Sequence, residues 1–167
     1  MSVKWAFKSK YSFANKNFAR IYQFFVVETP VPGVSMRGKS FKVRGCNMRK
    51  LNSALKKETP FLKTNWQVKP IKDIPNCCKT AGIDTVADFS KEIAIHTING
   101  KHCTGNVDSL FYTVRCAFAH GAFSIHTYKK EKYYLLENKD GTKLKGRLVL
   151  KEDTLIKWIE LLERLYP

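Results

Sequence analysis

The apolar segment at 109–123, SLFYTVRCAFAHGAF, limits the possible folds of this chain more than any other part of the sequence. It extends a helical repeat of apolar side chains, formed by Val107, Leu110, Phe111, Val114 and Phe118. The repeat predicts a core helix that begins near 106–109 and ends at Gly121, because glycine is favoured just past a helix terminus. Arg115 and His120 interrupt this apolar helix.

The rest of the pattern predicts a mainly helical fold. Apolar residues recur with helical spacing in three further segments and in the last residues of the chain, at 15–28, 47–57, 84–98 and 152–166. The segment KYYLLENKDGTKLKGRLVLK predicts two strands joined at KDG, a hairpin inserted before the C-terminal helix. The proline-rich segment at 58–82 is predicted to be a loop with one short strand.

Charge is distributed unevenly along the chain. Residues 1–70 hold 15 of the 30 basic residues but only 2 of the 14 acidic residues, and the whole chain has a net charge of +16. An excess of this size attracts polyanions, so nucleic acid is the expected partner. The alternative is a basic protein whose lysines only solvate its surface.

Cysteine usage and apolar run lengths indicate the compartment. The five cysteines are odd in number and have no framework spacing, which favours the reducing cytoplasm. We expect no signal peptide, because lysines interrupt the apolar residues of the N-terminus, and no membrane span, because no apolar stretch is long enough. Binding to a membrane surface would need an amphipathic basic helix, which the sequence does not show, so we expect no membrane partner. A zinc site would need the cysteines and histidines Cys77, Cys78, His96, His102 and Cys103, whose spacing fits no usual ligand pattern, so we expect no metal and no other cofactor.

Arg115 and His120 have the side chains that RNA scission requires. A guanidinium holds two phosphate oxygens and keeps its charge, and an imidazole transfers protons near neutral pH. With the ribose 2′-hydroxyl as nucleophile, the reaction needs no metal. The two residues lie about 140° apart around a regular helix, so they converge only if the helix ends between them or a second copy contributes. The structural alternative is a salt bridge from Arg115 to a core carboxylate, with His120 capping the helix.

The segment LFYTVRCAFAHGAF, followed by a hairpin and a last amphipathic helix, resembles the HEPN superfamily, and within it a group of plasmid-borne bacterial proteins. The signature of that superfamily is an arginine, four to six residues and a histidine. The resemblance implies one HEPN-like domain over 1–167, a helical bundle with an inserted hairpin. The region 84–167 contains the motif helix, the hairpin and the last helix, and 1–83 is a basic N-terminal elaboration.

The resemblance also implies a function and a site. Arg115 and His120 become the catalytic pair of a metal-independent endoribonuclease, a toxin or antiphage effector that acts as a homodimer on RNA and has an antitoxin or another regulatory partner. Cys116 occupies a position that often holds Asn, Asp or His in active members. Cys116 and His126 are therefore candidate auxiliary residues only.

The sequence contains one further candidate RNA contact and two alternative functions. Lys129, Lys130 and Lys132 lie among tyrosines in YKKEKYY, a mixture suited to phosphate contact and base stacking, or to the protection of an edge strand. The first alternative function is a non-catalytic HEPN module that binds RNA or docks a partner. The second is a DNA-binding regulator that uses the basic first 70 residues.

Overall fold

A computed structural model of the protein describes residues 1–7, 10–34 and 39–167. It is a mixed α/β fold with 40% helix and 24% strand, so the prediction of a mainly α-helical bundle is wrong. Its elements in chain order are β1 (Ser2–Lys4), α1 (Lys16–Tyr22), α2 (Met48–Glu58), β2 (Trp66–Val68), α3 (Ile74–Thr80), β3 (Val86–Asp88), β4 (Ile93–His96), α4 (Asn106–Ala119), β5 (Phe123–Tyr128), β6 (Glu131–Asp140), β7 (Lys143–Lys151) and α5 (Glu152–Leu165).

A five-stranded sheet forms the centre of the fold. Its strand order is β2-β4-β7-β6-β5, with β2 parallel to β4 and every other pair antiparallel. Strands β1 and β3 form a separate antiparallel pair. The two longest strands, β6 and β7, are the predicted hairpin, and Gly141 takes a positive φ of 57° in the turn between them.

Each face of the sheet contacts its own hydrophobic cluster. Successive side chains of a strand alternate between faces, so Tyr134 and Leu136 pack against α1, α2, α4 and α5. Tyr133 and Leu135 face the other way and pack against α3 and Phe89. Helix α4, with its arginine, therefore lies on the face that the larger helices cover.

Four of the predicted helices are confirmed. The helix at 15–28 begins at Lys16, where the Asn15 side chain accepts a hydrogen bond from the Phe18 N–H at 3.0 Å, and it continues as a π-helical turn over Gln23–Val27. Asn47 caps α2 in the same way. Helices α4 and α5 also have nearly the predicted bounds.

The predicted helix at 84–98 is wrong. That segment forms β3 and β4, and all four residues of β4 are buried because the strand lies between β2 and β7 with both faces covered. The segment at 58–82 contains the expected short strand, β2, but also α3, which was not predicted. With seven residues and Pro75 in its first turn, α3 is too short to show a helical period.

The basic N-terminal region belongs to the same core as the rest of the chain. Phe18, Leu51 and Leu62 are buried in one cluster with residues of α4 and α5. The Trp158 indole N–H donates a hydrogen bond to the Thr59 hydroxyl at 3.0 Å. Among the residues that the structure describes, no helix has the length and apolar character needed to cross a membrane.

Candidate functional site

Helix α4 is fixed at its start and along one face. The buried Asp108 carboxylate accepts hydrogen bonds from the backbone N–H groups of Thr104 at 2.8 Å and Gly105 at 2.9 Å, which satisfies donors at the helix N-terminus. The predicted apolar face is buried throughout, namely Val107, Leu110, Phe111, Val114 and Phe118. Because this face sets the rotation of the helix, Tyr112 and Arg115 are left half-buried on the outer side.

Arg115 has no partner for its guanidinium among the described residues. Its Nε atom is buried without a hydrogen bond, and Arg115 forms no salt bridge within the described part of the chain. The sequence-based alternative of a salt bridge to a core carboxylate is therefore not observed there. Leaving a buried polar group unpaired costs about 1–3 kcal/mol, so the arrangement suits a guanidinium that receives an acceptor from outside the described part of the chain, such as a bound anion.

Arg147 shows the opposite arrangement in the same fold. Its Nε donates to Glu137 Oε2 at 2.7 Å, its Nη1 donates to the Ile83 carbonyl at 3.0 Å, and its guanidinium lies 4.6 Å from the centre of the Trp5 ring. Arg147 is thus held on every side, as expected of a structural arginine.

His120 is the C-cap residue of α4, and it is exposed. Its backbone N–H donates to the Cys116 carbonyl at 3.0 Å, and Gly121 with a φ of 66° ends the helix immediately afterwards. The helix therefore does not bend between Arg115 and His120. Five regular residues separate their Cβ directions by about 140° and about 7.5 Å along the axis. Within one protomer the helix does not present both residues on one face.

Tyr112 and His102 lie on the same side of α4 as Arg115. Tyr112 is one turn before Arg115, and the His102 ring stacks on the Tyr112 ring with a centroid distance of 5.5 Å and an interplanar angle of 27°. Burial raises the pKa of Tyr112 to about 12, its hydrogen bond with Cys116 adds to this effect, and the nearby charge of Arg115 opposes it. Sequence reasoning missed Tyr112 and considered His102 only as a zinc ligand, although the i, i+3 spacing of Tyr112 and Arg115 is visible in the sequence.

The two candidate auxiliary residues lie away from the open surface of α4. Cys116 is buried with 4% of its surface exposed and contacts the Tyr112 hydroxyl from beneath. His126 lies on β5, hydrogen-bonded to the Ser124 hydroxyl at 2.9 Å, and its ring packs on Phe89 at 5.5 Å. Because Phe89 belongs to the cluster under α3, His126 is on the opposite face of the sheet from α4. Burial lowers the pKa of His126.

The candidate lysines occupy the turn between β5 and β6. Lys129 and Lys130 form a two-residue turn with φ values of 50° and 68°, in the left-handed region that glycine and asparagine usually occupy. The Lys129 ammonium lies 5.3 Å from the Tyr128 ring centre, and Lys130 is exposed. The Lys132 ammonium is 3.6 Å from Glu152 Oε1. The turn therefore places the Lys129 and Lys130 ammonium groups at the surface, and the positive φ values of both residues strain its backbone.

The candidate zinc ligands do not come together. Within 1–7, 10–34 and 39–167, no group of three His, Cys, Asp or Glu side chains is arranged to hold a metal ion. Burial raises the pKa of Cys78 to about 11 and that of Cys103 to about 12. Both thiols are buried in the core.

Comparison with known proteins adds nothing to this geometry. No protein-family model, no curated protein and no solved structure matches the chain.

Proposed function

We propose that the protein is a metal-independent endoribonuclease that cuts RNA with Arg115 and His120, as a cytoplasmic toxin or antiphage effector. The observation that carries the proposal is the half-buried guanidinium of Arg115, which has no partner among the described residues and lies five residues before an exposed histidine. The net charge of +16 supports an RNA substrate. The resemblance to HEPN proteins over the motif helix supports the type of reaction.

The reaction follows from the chemistry of these two groups. An imidazole takes the proton of a ribose 2′-hydroxyl, and the 2′-oxygen then attacks the adjacent phosphorus. The bond from phosphorus to the 5′-oxygen breaks, and the 5′-oxygen takes up a proton. The Arg115 guanidinium binds the non-bridging oxygens and stabilises their added charge in the transition state. The products are a 2′,3′-cyclic phosphate and a 5′-hydroxyl.

A homodimer is the proposed active form. Because α4 is regular up to Ala119, Arg115 and His120 of one protomer project in different directions. A twofold axis beside the C-terminal end of α4 would place the His120 of one copy near the Arg115 of the other. An antitoxin or another regulatory protein is a further proposed partner, and it would restrain the activity in the cell.

Cleavage of RNA in excess EDTA is the test of this proposal. Purified protein is expected to cut single-stranded or transfer RNA at an unchanged rate when EDTA is added, because no step uses a metal. The 3′ ends are expected to carry 2′,3′-cyclic phosphate, detected by mass spectrometry. Substrate with a 2′-deoxyribose at the cut site serves as the control and should stay intact. Loss of activity in EDTA, or 3′-hydroxyl products, would contradict the mechanism.

Cys116 favours a second candidate function. Its thiol is buried against Tyr112, so the position after the arginine offers no polar group to a substrate. A non-catalytic module that binds RNA, or docks a partner through α4, would need none. RNA binding by the wild-type protein without scission of the bound strand would favour this function over the first.

Lys129 and Lys130 give a prediction that separates RNA binding from stability. A Lys129→Asn/Lys130→Gly variant is expected to unfold with a free energy about 1 kcal/mol higher than wild type, because Asn and Gly relieve the positive-φ strain. The variant should also bind single-stranded RNA more weakly, and the slope of log affinity against log salt should fall by about 1.4 for two lost phosphate contacts. Urea titration and a salt series of binding isotherms measure the two effects.

The matched control for this variant removes the same charge elsewhere. Lys72 and Lys143 are exposed at the other end of β6, roughly 30 Å away along a strand of this length. A Lys72→Ala/Lys143→Ala variant should therefore keep the salt slope of the wild type. Equal loss in both variants would show that the turn has no special part in binding.

A further inference from the structure

The four histidines of the chain fall into two groups. His96 is fully buried, and both of its ring nitrogens are used, since Nε2 accepts from the Trp66 indole at 2.8 Å and Nδ1 donates to the Thr97 carbonyl at 3.1 Å. His126 is bonded to Ser124 on the face of the sheet away from α4. These two are unavailable to a substrate at α4. His102 and His120 remain.

A hydrogen-bonded loop places His102 beside α4. After β4, the chain turns back so that the backbone N–H groups of His102 and Cys103 both donate to the Asn99 carbonyl, at 3.1 Å and 2.7 Å. The His102 ring then stacks on Tyr112. A Cβ atom placed on Gly33 would lie 3.2 Å from His102 Nδ1, so the Gly33 backbone also approaches the imidazole.

The ring nitrogens of His102 carry no hydrogen bond to any residue in the described part of the chain, although the residue is half-buried. Tyr112, against which the ring packs, is one helical turn from Arg115, where side chains of neighbouring turns have Cβ atoms about 5–6 Å apart. The charged residues beside the imidazole in the chain and on the neighbouring turns of α4 are Lys101, Arg115 and Asp108, whose carboxylate accepts a hydrogen bond from the Thr104 N–H at 2.8 Å. Within the described part of the chain, an imidazole that lacks a hydrogen-bond partner thus stacks on Tyr112, one helical turn from a guanidinium that also lacks one.

RNA scission by the 2′-hydroxyl needs two proton transfers on opposite sides of the phosphorus. The entering 2′-oxygen loses a proton while the departing 5′-oxygen gains one, and these oxygens lie in line with the phosphorus between them. One imidazole cannot reach both at once. Tyr112 is a poor base because partial burial and its hydrogen bond with Cys116 raise its pKa to about 12, so its hydroxyl stays protonated near neutral pH.

We propose that His102 is the second proton-transfer residue of the site. Arg115 binds the phosphate, and His102 and His120 transfer protons on opposite sides of the phosphorus. This inference rests on the proposed ribonuclease function and adds a residue that the arginine–histidine motif does not contain. His102 lies beside the turn of α4 that precedes Arg115 within one protomer, and in the proposed homodimer His120 reaches the phosphate from the helix end of the second copy. One imidazole takes the 2′-proton and the other supplies the 5′-proton, so the pair exchanges its protonation states in each cleavage.

The pH dependence of cleavage tests this assignment. Wild-type protein is expected to show a bell-shaped profile of single-turnover rate against pH, from one base and one acid. A His102→Gln variant should lose one limb of the profile and at least about 100-fold in rate at the optimum, with an unchanged circular dichroism spectrum. His126→Gln is the matched control and should keep both limbs. Added imidazole should restore part of the rate to a His102→Gly variant.

A second measurement does not depend on cleavage. RNA with a 2′-deoxyribose at the cut site is bound but not cut, and it should shift the His102 ring resonances in a nuclear magnetic resonance titration while leaving those of His96 in place. An unchanged pH profile in His102→Gln, or an unshifted His102 ring at saturation, would overturn the role of His102 and leave the ribonuclease proposal standing. Absence of cleavage by the wild type would overturn both.

Discussion

An Arg115→Ala variant is expected to lose at least about 100-fold in the single-turnover rate of RNA cleavage and to keep its free energy of unfolding within about 1 kcal/mol of wild type. The first effect follows because the guanidinium binds the charge that develops on the phosphate. The second follows because Arg115 forms no salt bridge among the described residues and its Nε is already unpaired. Gel assays of single-turnover cleavage and urea titrations measure the two quantities on the same preparation.

Arg147→Ala is the matched control. Arg147 is buried like the Arg115 Nε atom, but its guanidinium is paired with protein groups. Its removal takes away the buried partner of the Glu137 carboxylate, which has 3% of its surface exposed and lies 2.7 Å from Arg147 Nε, and leaves it only the exposed Lys139 ammonium at 3.0 Å. Breaking a buried pair in this way costs about 3–5 kcal/mol. Arg147→Ala should therefore lower stability strongly, whereas Arg115→Ala should lower activity.

Arg115→Lys refines the comparison. Lysine keeps the charge but lacks the planar fork, so we expect a rate between those of wild type and Arg115→Ala. If Arg115→Ala destabilises the fold by several kcal/mol, Arg115 is a structural residue. If it cleaves RNA as fast as wild type, the site lies elsewhere.

Helices and strands whose own sequence contains a complete apolar pattern and a terminating or turn residue were predictable. Helix α4 combines a complete apolar face with a glycine just past its end, and Leu155, Ile159 and Leu162 of α5 are buried at the predicted spacing. The turn of the β6–β7 hairpin, between Asp140 and Lys143, falls at the predicted KDG segment. In each case the local preference and the tertiary packing agree.

The full sheet could not be predicted because β4, which joins β2 to the hairpin, is short and buried on both faces. Strand β4 has four residues, all buried, and such a run shows no alternation. Val86, Phe89 and Ile93 happen to fall at helical spacing, although they belong to β3, a turn and β4. Only the pairing of β4 with β7, about 50 residues later in the chain, makes the strand.

Only part of the candidate site was predictable from the sequence. Arg115 and His120 are visible because an apolar helix rarely contains such residues. Tyr112 and His102 are not, because the loop after β4 must close onto α4 before the two rings meet. Loop closure of this kind is set by tertiary contacts, here the Asn99 turn and the approach of Gly33, and leaves no periodicity in the sequence.

His96 is expected to make the fold less stable as the pH falls from 7 to 5. Burial lowers the pKa of His96 from 6.5 to about 4. Its side chain is enclosed, with Gly146 so close that an added Cβ would lie 2.8 Å from His96 Cβ. Charging the ring would also break the bond from Trp66, because Nε2 would no longer accept. The folded state therefore excludes a proton that the unfolded chain binds.

The sign of the effect follows from this difference. Above pH 6.5 the ring is neutral in both states, and its contribution to stability is complete. Between pH 6.5 and 4 only the unfolded state binds the proton, so the free energy of unfolding decreases as the pH falls. The two pKa values correspond to a loss of about 2 kcal/mol between pH 7 and pH 5. Urea titrations at half-unit steps of pH measure this loss, and the window avoids most carboxylate titration.

A His96→Gln variant tests the assignment to this residue. Glutamine can accept the hydrogen bond from Trp66 and donate to the Thr97 carbonyl, but it does not titrate. The variant should lose most of the pH dependence between 7 and 5, whatever its stability at pH 7. His126→Gln should remove a smaller part, because burial also lowers the pKa of His126, which is only partly enclosed. If the free energy of unfolding depends on pH in His96→Gln as it does in wild type, His96 does not cause that dependence. The His96 ring would then take up its proton in the folded state, and the hydrogen bond from Trp66 would not keep it neutral.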